Sequence, residues 1–189
     1  MRIAGVLLAA GRSTRFGAAD KLTASLHGRP LALHAAATLA TLPLAACFVV
    51  TGNSDLDWPG EVIVNDDPAS GMARSIVLGV GAARRAGIDA VLITLADMPF
   101  VPRAHHERLI AAYAGPDTLV ASIDGTRAMP PALFGAASFD KLEALTGDQG
   151  ARALLAGANT IPLDPSLLLD IDTPEQLARA AALTSACRA

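Results

Sequence analysis

The sequence predicts an α/β domain, and three observations carry that prediction. Apolar runs alternate with segments of helical period; one run, Ala90 to Ala96, is apolar on both faces apart from Thr94; and the first apolar run passes straight into a glycine-rich loop. A strand that is apolar on both faces must be covered above and below, which is the situation of a central strand in a parallel sheet. At 189 residues the chain reads as one domain over 1–189, long enough to bury roughly 70% of its unfolded surface.

The elements follow in order. Arg2 to Ala9 forms the first strand. The stretch from Pro30 to Ser54 carries no charged residue, long enough to raise a membrane span, but Pro43 and the polar Thr38, Thr41 and Thr51 argue for a helix, a break and a buried strand. Leu31, Ala35, Leu39 and Leu42 share one helical face, so a crossover helix follows Pro30, and Ala46 to Thr51 is the next strand. Val62 to Val64 is a short strand, and Met72, Ile76, Val80 and Ala83 mark a second helix leading into Ala90 to Ala96. Pro102 begins a third helix, with adjacent His105 and His106 expected in solvent. Leu119 to Ser122 reads as a further strand. The C-terminal helix is signalled by Thr173 as cap, Pro174 in the first turn, and Gln176 where a capping box places Glu or Gln.

Composition narrows the function. Charged residues are 17% of the chain, aromatics 4% and apolar residues 52%, largely alanine and leucine. Such a chain packs helices closely on a buried sheet through small side chains. A net charge of -3 gives no broad basic surface, which argues against nucleic acid as a partner, so a polyphosphate would be met by local cations. Cys47 and Cys187 are far apart and fit no metal-ligand spacing; Cys47 reads as a small core residue. The run Met1 to Ala10 faintly resembles a signal peptide, but it flows into the glycine loop and reads as a strand, which leaves a cytoplasmic protein without a membrane segment as the expectation.

The chemistry concentrates at strand ends. After Val6-Leu7-Leu8-Ala9-Ala10, the loop Gly11-Arg12-Ser13-Thr14-Arg15-Phe16-Gly17 and then Lys21 combine glycines, small hydroxyls and cations. Backbone N–H groups at Gly11 and Gly17 can approach phosphate oxygens because no Cβ intervenes, while Arg15 and Lys21 supply positive charge. Five residues separate Gly11 from Gly17 and Ala18 follows, so this is neither a P-loop nor a Gly-x-Gly-x-x-Gly fingerprint. An ordinary strand-to-helix turn with surface arginines has the same composition.

Asp97, in Asp97-Met98-Pro99, emerges at the carboxyl edge of the central strand, where open α/β folds bind ligands. If that strand neighbours the first, its carboxylate can hold Mg²⁺ against phosphates in the loop; it lies too far upstream to cap the helix that begins at Pro102. Asp172 sits beside a helix N-terminus, where the helix dipole alone would favour a carboxylate. Asn65-Asp66-Asp67 and Gly71-Met72-Ala73-Arg74-Ser75 form a polar turn before a helix, suited to a nucleobase and equally to a plain loop. Gly147-Asp148-Gln149-Gly150-Ala151-Arg152 is turn chemistry in which Arg152 could meet a second anionic substrate.

Taken together, the loop with Lys21, Gly28-Arg29-Pro30-Leu31, Asn65 with Gly71-Met72 and Ser75, and Leu95-Ala96-Asp97-Met98-Pro99 resemble the MobA-like nucleotidyltransferases. With Pro131-Ala132-Leu133-Phe134, Gly147 to Arg152 and Asp170-Ile171-Asp172-Thr173-Pro174-Glu175, the resemblance is closest to the molybdenum cofactor cytidylyltransferase branch and spans nearly the whole chain. It implies a three-layer α/β/α fold with a mixed, mostly parallel sheet, of the nucleotide-diphospho-sugar transferase type and Rossmann-related. It also implies transfer of CMP from CTP to the terminal phosphate of molybdopterin or molybdenum cofactor, with release of pyrophosphate and with Mg²⁺ as cofactor.

By that resemblance Arg15, Lys21 and Asp97 are the catalytic residues, Arg15 and Lys21 holding phosphates. Asp97 and Asp172 would ligate the metal. Ala9, Ala10, Gly11, Ser13, Gly17, Gly71 and Ser75 would bind the nucleotide, with Ser75 and the Gly71 turn at base or ribose. Asp148 and Arg152 fall on the acceptor side, and a recipient molybdoenzyme or its chaperone is the implied protein partner.

Ala10 stands where the guanylyl branch usually has glycine; its methyl narrows the base pocket and favours a pyrimidine, by about 1 to 3 kcal/mol. Two segments depart from the family pattern: Ala18-Ala19-Asp20 is one residue longer than in many cytidylyl relatives, and Ala128-Met129-Pro130-Pro131, in a region that shapes the acceptor site, replaces a glycine before a single proline. Two alternatives stand beside the cytidylyl reading: the same fold and reaction with GTP or with a sugar or polyol phosphate as acceptor, and a non-catalytic accessory protein that delivers nucleotide or cofactor to a molybdoenzyme. Arg15, Lys21 and Asp97 weigh against the last, since a pure binder has no need of a metal carboxylate.

Overall fold

The computed structural model describes residues 1–11, 16, 20–52, 55–147 and 150–186, with side chains described as far as 182. Seven strands form one sheet: β1 (Ile3–Ala9), β4 (Ala46–Thr51), β5 (Glu61–Val64), β6 (Ala90–Leu95), β7 (Leu119–Ile123), β8 (Ala128–Gly135) and β9 (Asn159–Pro162). A separate hairpin pairs β2 (Ser25–Leu26) with β3 (Arg29–Pro30). The order across the sheet is β5-β4-β1-β6-β8-β7-β9. All pairings are parallel except those of β8, which runs antiparallel to both β6 and β7. The mixed, mostly parallel α/β sheet expected from the sequence is therefore the fold observed.

Alternation along each strand divides the core in two. Val6, Val50, Val91 and Ile93 face α2 (Met72–Arg85), α4 (Phe139–Glu143) and α5 (Arg152–Leu155) through Ile76, Val80, Phe139, Leu142 and Leu155. Leu7, Val49 and Leu92 face α1 (Leu31–Ala40) and α3 (Arg103–Ala111) through Ala35, Leu39 and Leu109. Small residues set the spacing, as the alanine-rich composition implied: a Cβ on Gly79 of α2 would stand 2.4 Å from Val6 Cγ1, so the helix rests on β1 with no room for a methyl. Across the hairpin, α6 (Pro174–Ala186) packs Ala180 and Leu177 against Leu26 and Leu31. Among the described residues no helix is long and apolar enough to cross a membrane.

Three expectations are corrected here. His105 and His106 are not in solvent; they are 2% and 1% exposed, on the face of α3 that turns to the sheet. Cys47 is half-buried at the start of β4, not a sealed core residue, and burial raises its thiol pKa. β8 and β9 form strands where the sequence reading placed none.

Candidate active site

The site grows from the adjacency of β1 and β6. Leu8 is in register with Leu95, and Ala96 N–H extends the ladder to Leu8 O at 3.0 Å, so the loops after both strands open at one carboxyl edge. The condition placed on Asp97, that its strand lie beside the first, is met.

Three local devices bring charge to that edge. Asp20 caps the single 3₁₀ turn Lys21–Thr23, its carboxylate accepting from Leu22 N at 3.0 Å, while Leu22 is buried in the core between α1 and the sheet. This fixes Lys21 to point inward. At β6, the chain turns after Leu95 and exposes Asp97 above a buried Met98. From the far end of the chain, Ile171 N–H donates to Asp97 O at 3.0 Å, and Gln176 Oε1 accepts from Asp172 N at 2.7 Å and Thr173 N at 2.9 Å. Gln176 N returns a bond to Thr173 Oγ1 at 3.2 Å. The capping box expected from the sequence thus locks Asp172 in place alongside Asp97.

Lys21 Nζ then donates to Asp97 Oδ2 and Asp172 Oδ1, both at 2.7 Å. The ammonium is almost sealed, its side chain 7% exposed, whereas the two carboxylates retain 20% and 22% exposure toward the crevice. Burial lowers the lysine pKa, but the charges of Asp97 and Asp172 and their hydrogen bonds outweigh it, and the net direction is upward. Burial raises the Asp97 pKa; Lys21 offsets part of this, and the neighbouring charges of Asp172 and Asp170 add to it. A Cβ on Gly11 would stand 4.0 Å from Lys21 Cε, which puts the start of the glycine loop against this triad.

One polar atom in the triad is unsatisfied. Asp97 Oδ1 is buried without a hydrogen-bond partner, an expensive arrangement for a carboxylate oxygen. A hard divalent cation such as Mg²⁺ or Mn²⁺, which takes oxygen ligands, fits that orphaned oxygen together with Asp172. Among the described residues no third His, Cys, Asp or Glu joins them, so phosphate oxygens and water would complete the coordination shell.

The remaining candidates divide. Ala9 is buried at the end of β1 and Ala10 is half-buried just beyond it. Gly71 adopts φ 96°, a conformation glycine favours, at the N-terminus of α2. Ser75 is 4% exposed and its hydroxyl accepts from Asn65 Nδ2 at 3.0 Å, so it braces the turn. Asn65 Oδ1 also accepts from Asp67 N and Arg74 Nε, making Asn65 the hub that shapes this turn. Gly147 O accepts from Ala73 N at 3.1 Å, which joins Gly147 to the Gly71 turn; Arg152 is exposed at the start of α5. Ser13, Arg15, Gly17 and Asp148 lie outside the described residues.

The model of the MobA-like NTP transferase domain matches residues 5–163. The chain is 33% identical to purine catabolism protein PucB of Bacillus subtilis (strain 168), covering 91% of this chain and 92% of the relative. It is 32% identical to molybdenum cofactor guanylyltransferase of Rhodobacter capsulatus, covering 95% of each. Among solved structures, a nucleotidyl transferase from Methanothermobacter thermautotroptrophicus superimposes with a TM-score of 0.79 at 24% identity, over 98% of this chain and 99% of that one. Rv0371c of Mycobacterium tuberculosis H37Rv, in complex with manganese, gives 0.78 at 21% identity, over 96% and 99%. At these identities the structures speak for the fold.

Proposed function

The chain belongs to the MobA-like NTP transferase family, and we propose that it transfers a nucleotidyl group from a nucleoside triphosphate to the terminal phosphate of a molybdopterin-type cofactor, releasing pyrophosphate. The observation that carries this reading is the clamp of Lys21 between Asp97 and Asp172, set against Gly11 at the mouth of the loop. A phosphate oxygen of the acceptor attacks the α-phosphorus in line; the new P–O bond forms as the bond to the β-phosphate oxygen breaks, and pyrophosphate departs with that electron pair.

The chain's own residues position and neutralise. Gly11 leaves space for the triphosphate, and Lys21 presents its ammonium from below to oxygens that gain charge. Arg15 is assigned the outer phosphates on its place in the loop. Asp97 and Asp172 would hold the divalent cation, which supplies charge neutralisation on the transferred and leaving phosphates. The Gly71 turn, braced by Asn65 and Ser75, is assigned the base or ribose, and Asp148 and Arg152 the acceptor side.

Relatives named molybdenum cofactor guanylyltransferase, at 30% and 32% identity, support GTP as the nucleotide. One residue supports CTP as a second reading: the methyl of Ala10, half-buried at the end of β1, takes space from a purine. Pyrophosphate release measured with GTP and CTP separately, with Mg²⁺ or Mn²⁺ and molybdenum cofactor, decides between them. A sugar or polyol phosphate in place of the pterin tests the acceptor. No release under any pairing, alongside retained nucleotide binding, would favour an accessory binder.

A further inference from the structure

The reversed strand β8 breaks its ladder at the active-site edge. Pairing with β7 runs Ala121↔Ala132 and then jumps to Ser122↔Met129, so Pro130 and Pro131 have no partner on β7. Pairing with β6 ends at Ile93↔Ala132, which leaves Met129 to Pro131 running past the end of that ladder, on the side where β6 leads to Asp97. Prolines suit such a bulge because they have no N–H to leave unpaired. Met129 packs in a cluster with Leu95, Met98, Val101 and Leu168, so this bulge forms a wall against the residues that flank Asp97 in the chain. Ala128, Met129 and Pro130 are each only half-buried and reach the surface there.

What holds the wall is a relay from α3. Ser122, fully buried on β7, donates its hydroxyl proton to Pro131 O at 2.8 Å, and His105 Nε2 stands 2.8 Å from the same hydroxyl oxygen. With the serine proton committed to the carbonyl, the histidine must be the donor, so Nε2 carries hydrogen and Nδ1 is bare. Nδ1 is indeed buried without a partner, which costs free energy and marks a ring held there for its other nitrogen. Burial, with the nearby positive charges of His106 and Arg108, lowers the His105 pKa to about 4, so the ring is neutral and the relay intact near pH 7.

Resting on the nucleotidyl-transfer reading, we propose that His105 and Ser122 are positioning residues that fix the Met129–Pro131 wall against the residues flanking Asp97 and thereby set where the phosphorylated acceptor lies. Neither lies on the loops assigned to the nucleotide: His105 is on α3 and Ser122 on β7. The nucleotide side is carried by the Gly11 loop and the Gly71 turn, at the ends of β1 and of the β5–α2 connection, whereas the wall belongs to β8 on the other flank of β6. Loss of the relay moves the wall and leaves the triphosphate where it was.

The experiment measures initial rates of pyrophosphate release against acceptor and against triphosphate concentration for wild type, Ser122→Ala, His105→Leu and His105→Gln, each first checked for a cooperative melt. Glutamine places an amide N–H near the position of Nε2; leucine does not. Ser122→Ala and His105→Leu should raise the acceptor KM about tenfold or more with the triphosphate KM unchanged, and His105→Gln should restore most of the loss. Acceptor and triphosphate KM rising together, or His105→Gln behaving as His105→Leu at equal melting temperature, would overturn the assignment while the reaction stands. Wild type that releases no pyrophosphate overturns the reaction and the assignment with it.

Discussion

Replacing Lys21 with methionine keeps the stem length and removes only the charge. In the wild type one ammonium compensates two carboxylates at 2.7 Å each; in the variant both lose that ion pair. Stripping one partner from a buried ion pair costs about 3–5 kcal/mol. Here each carboxylate keeps about one-fifth of its exposure, so the lower end applies, and about 3 kcal/mol lowers the melting temperature of a chain this size by about 6–12 °C. The assay is thermal unfolding in chelator, followed by the same melt with Mn²⁺ added. Loss of the ammonium leaves more negative charge beside the orphaned Asp97 Oδ1 and so a better cation site than the wild type offers without nucleotide, so Mn²⁺ should recover more of the lost stability in the variant than it adds to the wild type. A melt in chelator within 2 °C of wild type, or an identical Mn²⁺ response in both proteins, would refute the reasoning.

Further expectations follow from other parts of the molecule. Asp97→Ala should leave a folded protein whose turnover falls by about a hundredfold or more; undiminished pyrophosphate release would place the metal elsewhere. Gly79→Ala drives a methyl into Val6 and should cost about 1–3 kcal/mol in urea unfolding, with a neutral result showing that α2 can lift. Gln176→Ala removes the acceptor of two backbone N–H groups and should cost about 1 kcal/mol, with loss of activity larger than loss of fold because Asp172 is released. His105 has a folded pKa of about 4 against an ordinary 6.5, so the unfolded chain binds the extra proton between those values. Its contribution is therefore present above pH 6.5 and lost as pH falls toward 4, by at most about 3 kcal/mol; urea melts across that window should show a shallower slope for His105→Gln.

Much of this architecture was legible in the residues. The apolar run Ala90 to Ala96, the helical spacing of Leu31, Ala35 and Leu39, and the Thr173/Gln176 box all reflect local physics that tertiary contacts reinforce. Lys21 and Asp97 were found because glycine, cation and carboxylate at strand ends have few other uses. Asp172 stayed ambiguous: a carboxylate before a helix is favourable on its own, and the tertiary bonds from Lys21 to Asp172 and from Ile171 to Asp97 distinguish the two readings. β8 was missed because Pro130 and Pro131 read as breakers, and a bulge is a tertiary accommodation. β9, four residues long with Asn159 and Pro162 at its ends, carries almost no local signal. The histidines were misplaced because Arg103, Glu107 and Arg108 surround them; the spacing of Val101, His105 and Leu109 was the available clue, since it puts His105 on the apolar face. Ser122 had no sequence signal as the partner of a carbonyl nine residues away.

The short tie between Ile171 N–H and Asp97 O also bears on how the protein matures. Lys21 and Asp97 are translated early, yet the second carboxylate arrives only with the segment that ends in the Gln176 box. A chain ending at Pro162 carries all seven strands of the sheet but lacks both the amide that ties Asp97 and the second carboxylate that Lys21 holds.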